Sequence, residues 1–230
     1  MIDPLRHISV FDPDRFGDKR VDIIGVGATG SKVAISLAKL GVQNIHIWDF
    51  DKIEEHNIAN QMFDIGDIGK KKVIALYEII KRQTGEKITI HDEKVDGSQA
   101  LGEVVFLLTD TMASRKEIWE RGLKMKLRTK VVIETRMGID EGRLYTVNPC
   151  QLSEIKQWEG TLYTDKEAAV SACGSSPTVG PTAGIIAEMA VWQMLRWFSI
   201  ERQDEAGKKD KIESEILIAL RPTMTVVRNF

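Results

Sequence analysis

"VDIIGVGATGSKVAISLAKLGV", residues 21–42, decides how the rest of the chain is read. A short strand-like run, Val21 to Ile24, meets glycines at positions 25, 27 and 30, spaced G-x-G-x-x-G, and these open an amphipathic helical stretch. In such a turn Gly25 permits the tight bend, Gly27 lets a phosphate approach the backbone, and Gly30 lets helix and strand pack closely. The helix N-terminus adds partial positive charge. Gly41 suits a helix C-cap, because glycine enters the left-handed conformation without steric cost. The bland alternative is a glycine-rich turn with no ligand, and the strand and helix on either side argue against it.

Working outward, "NIHIWDFD" (44–51) reads as a second strand, joined to the first by a helix and therefore parallel, with a right-handed crossover. "GKKKVIALYEIIKRQTG" is helical by its apolar spacing, "KITIHDEKV" is a third strand, and "EVVFLLTD" is a fourth, apolar enough for a central strand buried on both faces. "SRKEIWERGLKM" reads as a helix and "KVVIETRMG" as a fifth strand. This alternation predicts a doubly wound α/β sheet with its ligand side at the carboxyl ends of the strands. Beyond residue 140 the alternation stops. "GRLYTVNPC" reads as an added strand, and residues 151–180 show no clear period and are expected to form a long crossing segment. "GIIAEMAVWQMLRWF" reads as a helix apolar almost all round, to be buried by the sheet and by a partner subunit. "ERQDEAGKKDKIESE" reads as a solvated charge run, and "ILIALRPTMTVV" as a late strand pair broken by Pro222. The expected organisation is one domain: an N-terminal arm (1–20), a nucleotide-binding half (21–140), and a remainder (141–230) carrying the crossing segment, the buried helix and the last strands.

Bulk properties narrow the field. The 230 residues carry a net charge of −2, which gives no reason to expect nucleic acid or a membrane surface as partner. The two cysteines, Cys150 and Cys173, form no C-x-x-C pair, so neither a disulfide framework nor a common structural zinc site is expected. The charged N-terminus and the interruptions in the longest apolar stretch argue against a signal peptide and a bilayer span, so the reading is cytoplasmic.

Asp49 ends the second strand 19 residues after Gly30, where an acid binds ribose hydroxyls. To that point NAD and ATP fit equally. "WDFDKIEEHNIANQMFDIGDIGKKKV" separates them, with an acidic pair Asp49/Asp51, amides at Asn57, Asn60 and Gln61, and lysines at 70, 71 and 72. Lysines neutralise developing phosphate charge and amides orient phosphates and ribose, which triphosphate chemistry needs and hydride transfer does not. Asp110, at the end of "LLTD", can hold the magnesium that accompanies ATP; its bland alternative is a helix N-cap.

At these residues the chain resembles the ThiF/MoeB/HesA branch of the ubiquitin-activating-enzyme superfamily. The resembling elements, in the family's order, are "IIGVGATGS", "WDFDKIEEHNIANQ", "GKKKV", "TDTMASR" and "CGSSPTVGPTAGIIA". The resemblance implies a Rossmann-like, mainly parallel sheet continued by antiparallel strands near the C-terminus. It also implies a reaction: MgATP adenylates the C-terminal carboxylate of a small ubiquitin-like or sulfur-carrier protein, or peptide, followed in some members by transfer to a thiol. It places Gly25, Gly27 and Gly30 at the phosphates, Asp49 at the ribose, Asn57 and Gln61 among the family's amides, Lys72 at its lysine, and Asp110 at magnesium. Asn60 stands where the family has arginine, and Thr111 where it has asparagine. Three readings of the lost guanidinium stay open: compensation by Lys70 or Lys71, a different ATP geometry, or a chain that no longer adenylates. By the same resemblance Cys173 is a nucleophile candidate, against the plainer reading of a small buried residue, and Arg6 or Arg15 would reach a partner subunit's site in a homodimer. The rival functions are a non-catalytic scaffold binding nucleotide or a ubiquitin-like partner, favoured by Asn60, and an NAD-dependent oxidoreductase, for which no hydride-transfer acid or base is found.

Overall fold

The protein is described by a computed structural model covering residues 2–164, 179–205 and 212–229. Five parallel strands, β1 (Val21–Ile24), β2 (Ile45–Trp48), β3 (Thr89–His91), β4 (Val104–Leu107) and β5 (Val131–Met137), continue into three antiparallel ones, β6 (Glu141–Val147), β7 (Glu215–Leu220) and β8 (Thr223–Arg228). They make one eight-stranded sheet in the order β3-β2-β1-β4-β5-β6-β7-β8. The expected doubly wound sheet with an antiparallel extension is therefore present. The order runs outward in both directions from the β1/β4 pair, so this is the topological switch point, where crossovers leave for opposite faces and a crevice opens.

All four residues of β4 are buried, which explains why that strand shows no alternation. On one face, α2 (Gly30–Lys39), α3 (Lys72–Thr84) and α6 (Gly180–Glu205) pack over Val21, Ile23, Ile45, Ile47, Phe106 and Ile133. On the other, α4 (Met112–Ile118), the π-helical turn Trp119–Leu123 and α5 (Leu152–Glu159) pack over Ile24, Val105, Leu107 and Val132. The arm contributes α1 (Pro13–Phe16), whose Phe16 joins Phe11 in an aromatic cluster on Phe198 of α6, with centroids 5.1–5.8 Å apart.

Three expectations change. Residues 152–159 of the supposed crossing segment are helical, with Ile155 and Trp158 buried. Two apolar anchors on two turns are too few to register as a period. β3 shrinks to three residues of the expected nine, as an edge strand pairing only with β2. Within this chain α6 is one-sided: Ala183, Ile186, Ala187, Ala190, Met194 and Phe198 face the sheet, while Ile185 and Trp192 are exposed. Among the described residues no helix is long and apolar enough to cross a membrane.

Candidate nucleotide site

The glycine turn forms because no other residue fits two of its positions. Gly25 has φ +90°, and a Cβ there would lie 2.8 Å from the Leu108 carbonyl oxygen. A Cβ at Gly30 would lie 1.9 Å from the Gly25 carbonyl oxygen, so α2 can start against β1 only with glycine. A Cβ at Gly27 would come no closer than 4.0 Å to the Gln61 Nε2, which leaves the space above that residue open. The α2 N-terminus itself is bare: Thr29 makes no side-chain cap, and the first turn carries no acid.

Asp49 clasps this turn. Its Oδ2 accepts from the Val26 N–H and its Oδ1 from the Asp51 N–H, both at 2.9 Å. Burial pushes its carboxyl above the usual aspartate range, opposed by Lys72 and the two N–H donors. Lys72, buried at the start of α3, donates to Asp51 Oδ2 at 2.8 Å. The acidic pair and the lysine predicted from sequence thus meet at the turn. The other two lysines point elsewhere: Lys70 pairs with Asp67 and Glu78, and Lys71 with Asp92 and the Phe50 carbonyl.

The amides divide by role. Asn57 Oδ1 accepts from the Glu54 N–H at 2.9 Å and so holds its own loop together. Asn60 Oδ1 and Gln61 Oε1 are buried with no hydrogen-bond partner among the described residues, and so is Thr109 Oγ1, in the segment that passes Gly25. Three unpaired polar oxygens beside one glycine turn are costly unless something else fills the space. A nucleotide, rich in hydroxyl and amino donors, fits them.

Asp110 follows Thr109 and is exposed. Thr111 caps α4 by accepting from the Ser114 N–H at 3.2 Å, which leaves the Asp110 carboxylate out of the cap. Magnesium commonly takes one or two carboxylates and completes its shell with phosphate and water, so a single aspartate here fits the ion. No cluster of three or more metal-ligating side chains occurs among the described residues.

Sequence reasoning missed three contributors. Thr109 opens the quoted stretch "TDTMASR", but only Asp110 was given a role there. Arg115, buried on α4, donates to the carbonyls of Thr109 and Thr135 and meets Glu134 Oε1 at 3.2 Å, fixing the approach to Asp110. Lys32 donates from the first turn of α2 to the carbonyls of Ala28 and Asn60. Its signal was legible: a lysine at the positive end of a helix is out of place. Arg6 lies elsewhere in the same chain, in a groove with Ser36, Leu40, Glu188 and Trp192 at the far end of α2. Arg15 is exposed and pairs with Asp12 at 3.2 Å. Cys173 lies outside the described residues.

The model of the ThiF family matches residues 5–228. The chain is 25% identical over 193 residues to the sulfur carrier protein ThiS adenylyltransferase of Escherichia coli, covering 79% of this chain and 73% of that protein. It is 29% identical over 130 residues to the NEDD8-activating enzyme E1 catalytic subunit of Arabidopsis thaliana, covering half of this chain and 29% of that one. Among solved structures, the microcin C7 biosynthetic enzyme MccB in complex with N-formylated MccA superposes with a TM-score of 0.72 at 15% identity, over 94% of this chain and 66% of that one. E. coli MccB with ATP gives 0.68 at 16% identity, over 94% and 65%.

Proposed function

The chain belongs to the ThiF family, whose model spans nearly all of it, and on that premise we propose that it is an ATP-dependent adenylyltransferase acting on a C-terminal carboxylate of a carrier or ubiquitin-like protein or peptide. The carrying observation is the set of oxygens of Asn60, Gln61 and Thr109, unpaired among the described residues, around a glycine turn already clasped by Asp49.

In this reading the glycine turn and the open α2 N-terminus receive the phosphates, and Asp49 keeps the turn in shape while offering its remaining lone pairs to the ribose. Lys72, held against Asp51, brings positive charge to the triphosphate. An oxygen of the substrate carboxylate attacks the α-phosphorus, the bond to the bridging oxygen breaks, and pyrophosphate leaves with that electron pair. An acyl-adenylate remains. Asp110 holds magnesium, which supplies charge neutralisation on the phosphates. Attack by a thiolate, with Cys173 as candidate, would then release AMP and form a thioester. A homodimer is the assembly in which Arg6 could act in trans, and the exposed Ile185 and Trp192 of α6 give it an apolar seam.

The test is ATP–pyrophosphate exchange with and without peptides ending in Gly-Gly, comparing wild type with Asp110→Ala. Exchange that requires peptide and falls by about 100-fold or more in the variant supports carboxylate adenylation. Exchange unchanged by the substitution removes Asp110 from the mechanism.

A further inference from the structure

Lys32 is the third residue of α2, partly buried, and its side chain turns back over the helix start so that Nζ donates to the Ala28 carbonyl at 3.1 Å and to the Asn60 carbonyl. Burial draws its ammonium below the usual lysine range, and no neighbouring charge offsets that cost. Among the described residues no carboxylate pairs with it, in contrast to Lys70, which has two, and Lys71 and Lys72, which have one each. The placement also opposes the helix, since the first turn of α2 bears partial positive charge and has neither an acid nor a side-chain cap to balance it. The N-terminal end of a second helix reaches the same loop: a Cβ at Gly180 of α6 would lie 3.3 Å from the Ala59 carbonyl oxygen and 3.7 Å from Asn60 Cα.

A lysine serving only as a strap between turn and loop is a poor solution. A neutral amide would bond two carbonyls without burying an unmatched charge among like partial charges. The arrangement becomes favourable when an anion arrives. The buried Asn60 Oδ1 and Gln61 Oε1, both unpaired among the described residues, mark the same place as one that a ligand completes.

We propose that Lys32 is the cation this chain sets against the phosphates of a nucleoside triphosphate at the glycine turn, in the neighbourhood of Asn60. The identity of the nucleotide rests on the adenylyltransferase reading; the anion site does not. Lys72 then serves from the β2 side and Lys32 from the α2 side, so the triphosphate is held between two cations on different elements.

Calorimetry on the full chain with three probes, ATP, adenosine and inorganic tripolyphosphate, tests the proposal. Lys32→Met should weaken ATP and tripolyphosphate by about 10- to 100-fold, as expected for a lost charged hydrogen bond, and leave adenosine affinity unchanged. Lys32→Arg should stay within about threefold of wild type, because it keeps the charge. If Lys32→Met melts early, Lys32→Gln carries the comparison, since it keeps donors for the two carbonyls without the charge. ATP bound equally by the charge-free variant, or adenosine weakened in parallel with ATP, overturns the proposal and leaves Lys32 a strap. Tripolyphosphate bound through Lys32 with ATP refused sustains the anion site and sinks the adenylyltransferase reading. Neither probe binding to wild type sinks both.

Discussion

Two polar regions lie at neighbouring strand ends, and they are built on opposite principles. Around Glu134, on β5, the chain supplies its own partners to the fully buried carboxylate: Arg136 Nε donates at 3.0 Å and Trp158 Nε1 at 3.2 Å, and Arg115 Nε lies 3.2 Å from the other oxygen as an ion pair without hydrogen-bond geometry. Arg136 goes on to bond Thr161 and to lie 4.4 Å above the Tyr145 ring, tying β5 to the end of α5. Around Gly27, among the described residues, oxygens of Asn60, Gln61 and Thr109 have no hydrogen-bond partner and the Lys32 ammonium has no carboxylate. Burial alone therefore does not mark a site. Nor does a single unpaired atom, since Gln193 Oε1 on α6 and Glu213 Oε2 before β7 also have no partner among the described residues; the glycine turn differs in gathering three such oxygens beside one backbone turn.

The contrast breaks first at Glu134. Replacing it with alanine strands two buried guanidinium groups, and we expect a loss of about 3–5 kcal/mol in urea unfolding. A loss under about 1 kcal/mol would mean the network is decorative and the distinction empty. Gln61→Leu should do the reverse. Its oxygen has no partner to lose among the described residues, so unfolding should shift by less than about 0.5 kcal/mol. ATP affinity should nevertheless fall by roughly 3- to 10-fold, the worth of one hydrogen bond. A large stability loss with ATP binding intact would assign Gln61 to the architecture.

The smallest effect concerns a third polar patch, where His46 Nδ1 and His91 Nε2 lie 3.0 Å apart and His91 stacks on Trp48. Burial, aided by Arg20, holds His46 down to about 4. Its folded value lies below its unfolded one, near 6.5, so its contribution to stability is complete above about pH 6.5 and is lost as pH falls toward about 4. The urea midpoint should drop between pH 7 and pH 5, and His46→Gln should narrow that drop. An unchanged drop would show that other groups govern acid sensitivity.

Where a residue's role depends on near neighbours, the sequence was readable. Gly25, Gly30 and the helix after them form one local device, and Asp49 was found because a strand of fixed rise carries it to the same edge as the turn. The pairing of Lys72 with Asp51 was harder, yet both flank one short loop. Cys173 remains an expectation, since it falls outside the described residues. α5 was missed for want of enough anchors. The Glu134 network was missed because "VVIETRMG" reads as a strand without showing that its charges turn inward. The residues alone did not separate Lys70 and Lys71 from Lys72, which only the family resemblance singled out; in the structure the helix start at Lys72 sets its direction apart.

The amino-acid order alone determined the glycine turn, the parallel half of the sheet and the strand end at which that turn sits. These follow from steric and periodic rules that act over a few residues. Tertiary structure decided which polar atoms were left unpaired. Asn60, Gln61, Thr109 and Lys32 come from three separate segments, and whether each finds a partner is settled only when the 54–62 loop folds over the start of α2 and the end of β4 packs beneath Gly25. Hydrogen-bond satisfaction is a property of the assembled surroundings, and no local pattern encodes it.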